Sequence, residues 1–153
     1  MSDTLTHVAV ADILAKVLFS AKKPLLVFLI AFISHGLLDV TDNDYTVNFT
    51  SQKTIQQDVD YLLLQTSGLV LLLHDIICEE DENRKANRIG ALLGSLFPDV
   101  VDGIYALAHP NSWHKGELLF PFHRRSINTP KQSKQTTMNK AVVVTLISLI
   151  ENF

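Results

Sequence analysis

The 153-residue chain is long enough to bury the core of one domain, and its mean hydropathy of +0.20, with 19% charged residues, makes it more apolar than an average soluble domain. A formal net charge of −3 offers no general attraction for nucleic acid or for an anionic membrane. Cys78 is the single cysteine, so no intramolecular disulfide can form, and we expect a reducing, cytoplasmic compartment. We expect Cys78 itself to be a small buried apolar residue.

The first predicted element is a helix that begins after Asp3 or Thr4 and runs to about Phe19. Asp12 and Lys16 are spaced as an i,i+4 ion pair, which we place on the solvent-facing side of this helix. The residues before it have neither the basic region nor the small-residue cleavage site of a signal peptide. We therefore expect no export signal here.

Residues 24–39 are predicted to form a central apolar helix. Pro24 suits its first position, nine apolar residues follow, and His35 and Asp39 lie four apart on one face. Because the pattern is apolar on every side, we expect neighbouring helices all round it. A buried, ionised Asp39 then needs a partner, a proton or a metal ion.

A local cation for Asp39 is missing from the sequence. Neither Lys nor Arg occurs between Lys23 and Lys53, so a salt bridge would have to come from Arg124 or Arg125. This distant pairing is the main alternative to a metal ion.

A third helix is predicted after a cap at Thr50, Ser51 or Thr54, with an apolar stripe of helical period that continues to Ile77. The preceding residues 45–50 are the only candidate for a short strand. The charged run over 79–85 is typical of a solvated connection between helices.

A fourth helix is predicted from about Ala86. Its Gly90 and Gly94 allow another helix to approach closely, and Pro98 must kink or end it. Asp99 and Asp102 follow in an apolar setting.

A polar linker is predicted over 126–137, and a last helix over 141–150. Together these elements predict a single all-α domain, 1–153, built as a bundle of about five to six helices around the helix at 24–39.

The two longest apolar runs, Leu25–Leu38 and Tyr61–Leu73, contain polar residues and fall short of the roughly 18 residues that a membrane span needs. We therefore expect buried bundle helices in a protein that is soluble or peripherally bound to a membrane. Insertion into the bilayer remains the alternative.

Histidine and aspartate residues carry the candidate chemistry. The sequence contains no Gly-rich phosphate loop, no Gly-x-Ser-x-Gly elbow, no Cys-x-x-Cys and no His-Glu-x-x-His. Imidazole and carboxylate groups suit zinc, manganese or iron, and helical bundles commonly hold such ions in their cores. The candidates are His7, His35, Asp39, Asp99, Asp102, His114 and His123.

Each candidate also has a purely structural interpretation. His35 would be a core histidine bonded to a backbone carbonyl, and Asp39 a helix-end residue turned to solvent. Asp99 would be a first-turn acid favoured by the helix dipole. The metal hypothesis is preferred because these polar residues fall inside the apolar runs and not between them.

The residues Thr6-His7, Ser34-His35-Gly-Leu-Leu-Asp39, Gly94-Ser-Leu-Phe-Pro98-Asp99-Val-Val-Asp102, His114 and His123 follow one another along the chain. This succession resembles the bacterial family described as membrane-bound, metal-dependent hydrolases of unknown substrate. The resemblance covers roughly residues 6–123, and there is a more distant similarity to the helical zinc-dependent phospholipase C fold. The chain has Asp42-Asn43 where the family often carries a Pro-His pair.

The resemblance implies metal ligation by His7, His35, Asp39 and Asp99, while His114 and His123 match as histidines in the right region. We predict a mono- or dinuclear divalent metal site, zinc above all, with His123 as a further ligand. Asp102 and His114, with His123 as the alternative, are the predicted groups for proton transfer or for orienting a ligand.

Metal-activated water would attack a phosphoester or related bond of a small-molecule or lipid-like substrate. No nucleic-acid partner is expected, and the oligomeric state is open. The predicted location is the cytoplasm or the inner membrane. The alternative function is a non-catalytic helical protein whose His and Asp residues only hold helices together.

Overall fold

The computed structural model describes residues 3–41, 56–109, 117–123 and 132–150, and the statements below concern these residues. They form long helices and contain no strand, which confirms the predicted all-α bundle of five to six helices. The long helices are α1 (Thr4–Leu18), α2 (Pro24–Thr41), α3 (Val59–Cys78), α4 (Glu82–Ala108) and α5 (Lys134–Leu149).

The helix with neighbours on all sides is α1 and not α2. Helix α1 packs against each of the other four helices, whereas α2 packs mainly against α4 and α1. Large apolar side chains along α2, such as Leu25, Ile33 and Leu37, remain exposed. A uniformly apolar helix therefore lies at the periphery of this bundle, and the more polar α1 lies at its centre.

Helix ends differ from the sequence prediction where capping side chains act. Asp81 accepts hydrogen bonds from the backbone N–H groups of Asn83 (2.8 Å) and Arg84 (3.0 Å), so α4 begins at Glu82 and not near Ala86. Ser133 caps α5 in the same way through the N–H of Thr136, at 3.1 Å. Residues 134–137 of the predicted linker are consequently helical.

Pro98 does not end α4, which continues through it to Ala108. Cys78, predicted to be buried, is exposed because it is the last residue of α3. The predicted caps at Thr50, Ser51 and Thr54 and the candidate strand at 45–50 lie outside the described residues.

The glycine pair on α4 allows the close helix approach that was predicted. A Cβ atom at Gly90 would lie nearer than 3.0 Å to the carbonyl oxygen of Pro24, and one at Gly94 equally near to that of Phe28. The backbones of α2 and α4 are therefore in direct contact, which fixes the position of His35 and Asp39 relative to Asp99.

The bundle is polar inside and apolar outside. The buried residues of α2 recur every fourth position as Val27, Ala31, His35 and Asp39, while large apolar residues cover its outer face. Among the buried residues of the described part, polar and charged side chains outnumber hydrophobic ones. A soluble protein has the opposite arrangement, since apolar burial is its main source of stability.

Three helices, α2, α3 and α4, are long and apolar enough to cross a membrane. The expectation that no segment reaches span length is therefore wrong. Counting uninterrupted apolar runs treats His35, Asp39 and Gln65 as breaks, but His35 and Asp39 are turned inward and Gln65 bonds to α1. On α2 the outer surface stays apolar past His35, since Ile33 and Leu37 are exposed beside it.

A buried network of charges ties α1, α3, α4 and α5 together. Arg88 of α4 pairs with Asp12 of α1 at 2.7 Å and also contacts Asp75 and Glu79. Lys16 pairs with Asp12 at 3.3 Å, as the spacing predicted. Asp12 is only 1% exposed, however, so this pair does not lie on a solvent-facing side. The positive charge of Arg88, which comes from another helix, stabilises the buried carboxylate of Asp12.

Candidate metal centre

Four parts of the chain bring polar side chains to one buried position. His7 comes from the first turns of α1, His35 and Asp39 from α2, and Asp99 and Asp102 from α4. His123 ends a short helical segment at 121–123. All of these side chains are buried, the most exposed being Asp99 at 9%.

The hydrogen bond at the Nδ1 atom of His35 defines its tautomer. This atom lies 2.6 Å from the backbone carbonyl oxygen of Ser95, one helical turn before Asp99. A carbonyl oxygen only accepts, so Nδ1 carries the hydrogen and donates it. In the neutral ring, the Nε2 atom of His35 is therefore a bare lone pair.

The same logic applies to His123. Its Nδ1 atom lies 2.5 Å from the Oδ2 atom of Asp102, and this oxygen also accepts the N–H group of Phe120 at 3.4 Å. The other carboxylate oxygen, Oδ1, accepts the N–H group of Leu119 at 2.7 Å. An Asp102 carboxylate held by three donors leaves the hydrogen on Nδ1 of His123. The Nε2 atom of His123 then also presents a lone pair.

These two lone pairs face each other. The Nε2 atoms of His35 and His123 are 3.0 Å apart, and the Oδ2 atom of Asp39 lies 3.2 Å and 2.9 Å from them. The Oδ1 atom of Asp99 lies 3.8 Å from Nε2 of His35 and 3.4 Å from Nε2 of His123. Acceptor atoms this close repel one another, so the position calls for a cation, either a proton or a metal ion.

Asp99 adds independent evidence for a cation. Both of its carboxylate oxygens are buried and neither has a hydrogen-bond partner within the described residues. Such a carboxylate is costly unless a positive charge stabilises it. Its side chain lies beside the two histidine Nε2 atoms, where that charge is expected.

His7 lies behind Asp39. Its Nε2 atom is 3.3 Å from Oδ1 of Asp39, and its ring stacks on that of His35 with centroids 4.0 Å apart. Gln65 of α3 holds this end of α1, because its Oε1 accepts the N–H of Leu5 at 2.9 Å and its amide donates to Asp3. This clamp positions His7 against Asp39.

The donor atoms form two groups that fit a metal ion. One consists of His7, His35 and Asp39, the other of His35, Asp99 and His123, and within each group the ligand atoms lie within 4.8 Å of one another. Since His35 has a single Nε2 lone pair, it can serve only one ion at a time. The second group has the better-oriented histidines.

Protonation of His123 is the competing way to supply the positive charge. Burial alone would lower the pKa of His123, but hydrogen bonds to the carboxylates of Asp39 and Asp102 outweigh it and raise that pKa above its usual value. The same carboxylates would stabilise a metal ion on Nε2.

The five residues predicted as metal ligands, His7, His35, Asp39, Asp99 and His123, are thus brought together, and Asp102 joins them as the partner of His123. His114 and the alternative partners Arg124 and Arg125 lie outside the described residues. The structural interpretation of His35 anticipated a backbone carbonyl as its partner. The sequence could not identify Ser95 as the residue that supplies it, because a backbone acceptor leaves no signature in the sequence.

Comparison of the chain with family models, with curated proteins and with solved structures found no significant match.

Proposed function

We propose that this protein is a membrane-embedded, metal-dependent hydrolase. The observation that carries the proposal is the pair of Nε2 lone pairs, 3.0 Å apart, beside the buried carboxylate of Asp99. The apolar outer surface and the three span-length helices support placement in a bilayer. The finer location, the inner membrane with access to the cytoplasm, follows from the family resemblance and the lone cysteine.

His35, His123 and Asp99 are the proposed ligands of one divalent ion. Two imidazoles and one carboxylate match the ligand set of hydrolytic zinc sites, in which three protein ligands leave a position for water. Asp102 and the carbonyl of Ser95 hold the two rings by their Nδ1 atoms. Such outer partners orient a ligand and raise its basicity.

When bound, the ion would lower the pKa of a water molecule and polarise a phosphoester or related bond. Asp39 would serve as the proton acceptor beside the ion, since its Oδ2 atom lies 3.2 Å from Nε2 of His35 and 2.9 Å from Nε2 of His123. His7 holds the other oxygen of Asp39 at 3.3 Å and stabilises its negative charge. Asp102 would then be a positioning residue, which is one of the two roles that the sequence predicted for it.

A second candidate is a non-catalytic helical membrane protein, in which a proton on His123 takes the place of the metal. The raised pKa of His123 favours this alternative. The two proposals differ in one measurable quantity, the metal content.

Elemental analysis of protein purified in detergent without a histidine tag tests the choice. We expect about one zinc ion per chain. Asp99→Asn and His123→Gln should abolish it, and Asp102→Asn should lower zinc affinity about 10- to 100-fold. The matched control is Asp60→Asn, which removes a carboxylate that is 58% exposed and paired with Lys134.

Full-length, folded protein without metal that also fails to take up zinc would refute the metal centre and support the protonated network. Zinc that is retained in Asp99→Asn and His123→Gln would place the ion elsewhere. A bound ion without hydrolysis of any phosphoester would leave a structural metal site.

A further inference from the structure

Five phenylalanine rings form a continuous strip along one outer face of the bundle, next to the metal centre. Neighbouring rings lie 5.2 to 6.4 Å apart between centroids, mostly edge to face. This aromatic strip consists of Phe28 and Phe32 of α2, Phe97 of α4, and Phe120 and Phe122 of the segment that leads to His123.

The inner end of the aromatic strip touches the proposed ligands. The ring of Phe122 has its centroid 4.8 Å from that of His123 and 5.8 Å from that of His35. Phe120 lies 6.0 Å from His123. The strip therefore runs from the outer surface to rings that contact two of the proposed ligands.

The outer end of the strip opens onto the apolar outer surface of the bundle. Phe97 is 43% exposed, and none of the five rings is fully buried. The exposed side chains Leu29, Leu93 and Leu119 share the elements that carry the strip. Two of these elements, α2 and α4, are long and apolar enough to span a membrane.

A strip with these two ends fits an amphiphile better than a water-soluble ester. Its apolar rings offer favourable contacts to an alkyl chain, and only its inner end meets polar donor atoms. We propose that the substrate is a lipid whose alkyl chain lies on the aromatic strip and whose phosphoester headgroup reaches the ion from the lipid side. This inference rests on the proposed function and names the substrate class of the same site.

Binding of two phosphonates that differ only in chain length tests the inference without requiring turnover. Hexadecylphosphonate and ethylphosphonate are titrated calorimetrically into the zinc-loaded, detergent-solubilised protein at a constant detergent concentration. We expect the long-chain compound to bind at least about tenfold more tightly. Its affinity should fall about two- to tenfold in Phe97→Ala.

Leu107→Ala is the matched control, because Leu107 is 84% exposed on the same helix and does not belong to the aromatic strip. This variant should bind hexadecylphosphonate as the wild type does. Equal affinity for the two phosphonates, no binding of either, or the same response in Phe97→Ala and Leu107→Ala would overturn the lipid proposal.

A separate assay follows hydrolysis of hexadecyl p-nitrophenyl phosphate in mixed micelles. Phosphonate binding that depends on the aromatic strip, without hydrolysis, would support the lipid site and refute the proposed hydrolase activity. Hydrolysis without chain-length preference in binding would keep the hydrolase and reject the lipid substrate. The failures of the two proposals are thus distinguishable.

Discussion

Replacement of Gly94 by alanine tests whether the contact between α2 and α4 assembles the metal centre. The added Cβ atom would lie nearer than 3.0 Å to the carbonyl oxygen of Phe28. Real Cβ atoms essentially never come that close, and the obstacle is backbone, so the two helices must move apart. His35 is carried by one of them and Asp99 by the other, so the ligands would separate with the helices.

Gly103→Ala is the internal reference for this experiment. Gly103 lies on the same helix, and a Cβ atom there would meet nothing within 4 Å. Both substitutions replace glycine by alanine within a helix, which stabilises the helix by about 1 kcal/mol in each case. This contribution cancels when the free energies of unfolding of the two variants are compared. Overpacking costs about 1–3 kcal/mol, so we expect Gly94→Ala to be less stable than Gly103→Ala by that amount.

Thermal unfolding in detergent and zinc titration measure the two consequences. For a domain of this size the difference corresponds to a lower Tm by about 2–4 °C for each kcal/mol. Zinc affinity should fall in Gly94→Ala and remain at the wild-type value in Gly103→Ala. If Gly94→Ala unfolds at the same temperature as Gly103→Ala and binds zinc normally, the close α2–α4 contact does not position the ligands.

Three further outcomes are expected. Arg88→Met should destabilise the protein by up to about 3–5 kcal/mol, because it removes the shorter of the two cation contacts of the buried Asp12 and leaves only Lys16 at 3.3 Å. Lys22→Met, which replaces an exposed lysine, should leave the melting curve unchanged; equal melting curves for the two variants would contradict a role for the buried network. After carbonate extraction the wild type should stay in the membrane pellet, and Ile33→Asp on the outer face of α2 should reduce insertion into the membrane. Wild-type protein in the supernatant would exclude a spanning bundle. His7→Gln should retain zinc with weaker affinity than the wild type, since His7 supports Asp39; complete loss of zinc would place the ion in the group formed by His7, His35 and Asp39.

Relations within one helix could be predicted from the sequence because the helical period is constant. The four-residue spacing of His35 and Asp39 places both on the same face of α2, and the pair of Asp12 and Lys16 forms as expected. The spacing of Gly90 and Gly94 likewise predicted a close neighbour.

Which face of a helix turns inward was decided by the tertiary structure. Apolar residues surround α2 on every side, so its pattern contains no preferred direction. The polar groups that need partners determine the orientation, because an unpaired buried carboxylate costs more than an exposed leucine. The side of α2 that carries His35 and Asp39 therefore faces α1 and α4. The leucines on the opposite side of α2 face outward.

The sequence by itself determined that the chain is helical, that it is more apolar than an average soluble domain, and that His and Asp residues are its candidate chemical groups. Only the tertiary structure decided that Ser95 and Asp102 orient His35 and His123, that Arg88 neutralises Asp12, and that the apolar surface lies outside. The physical reason is that helix periodicity is a local property. Hydrogen-bond partners and burial depend instead on residues that are 21 to 88 positions apart in the chain and meet only after the helices pack.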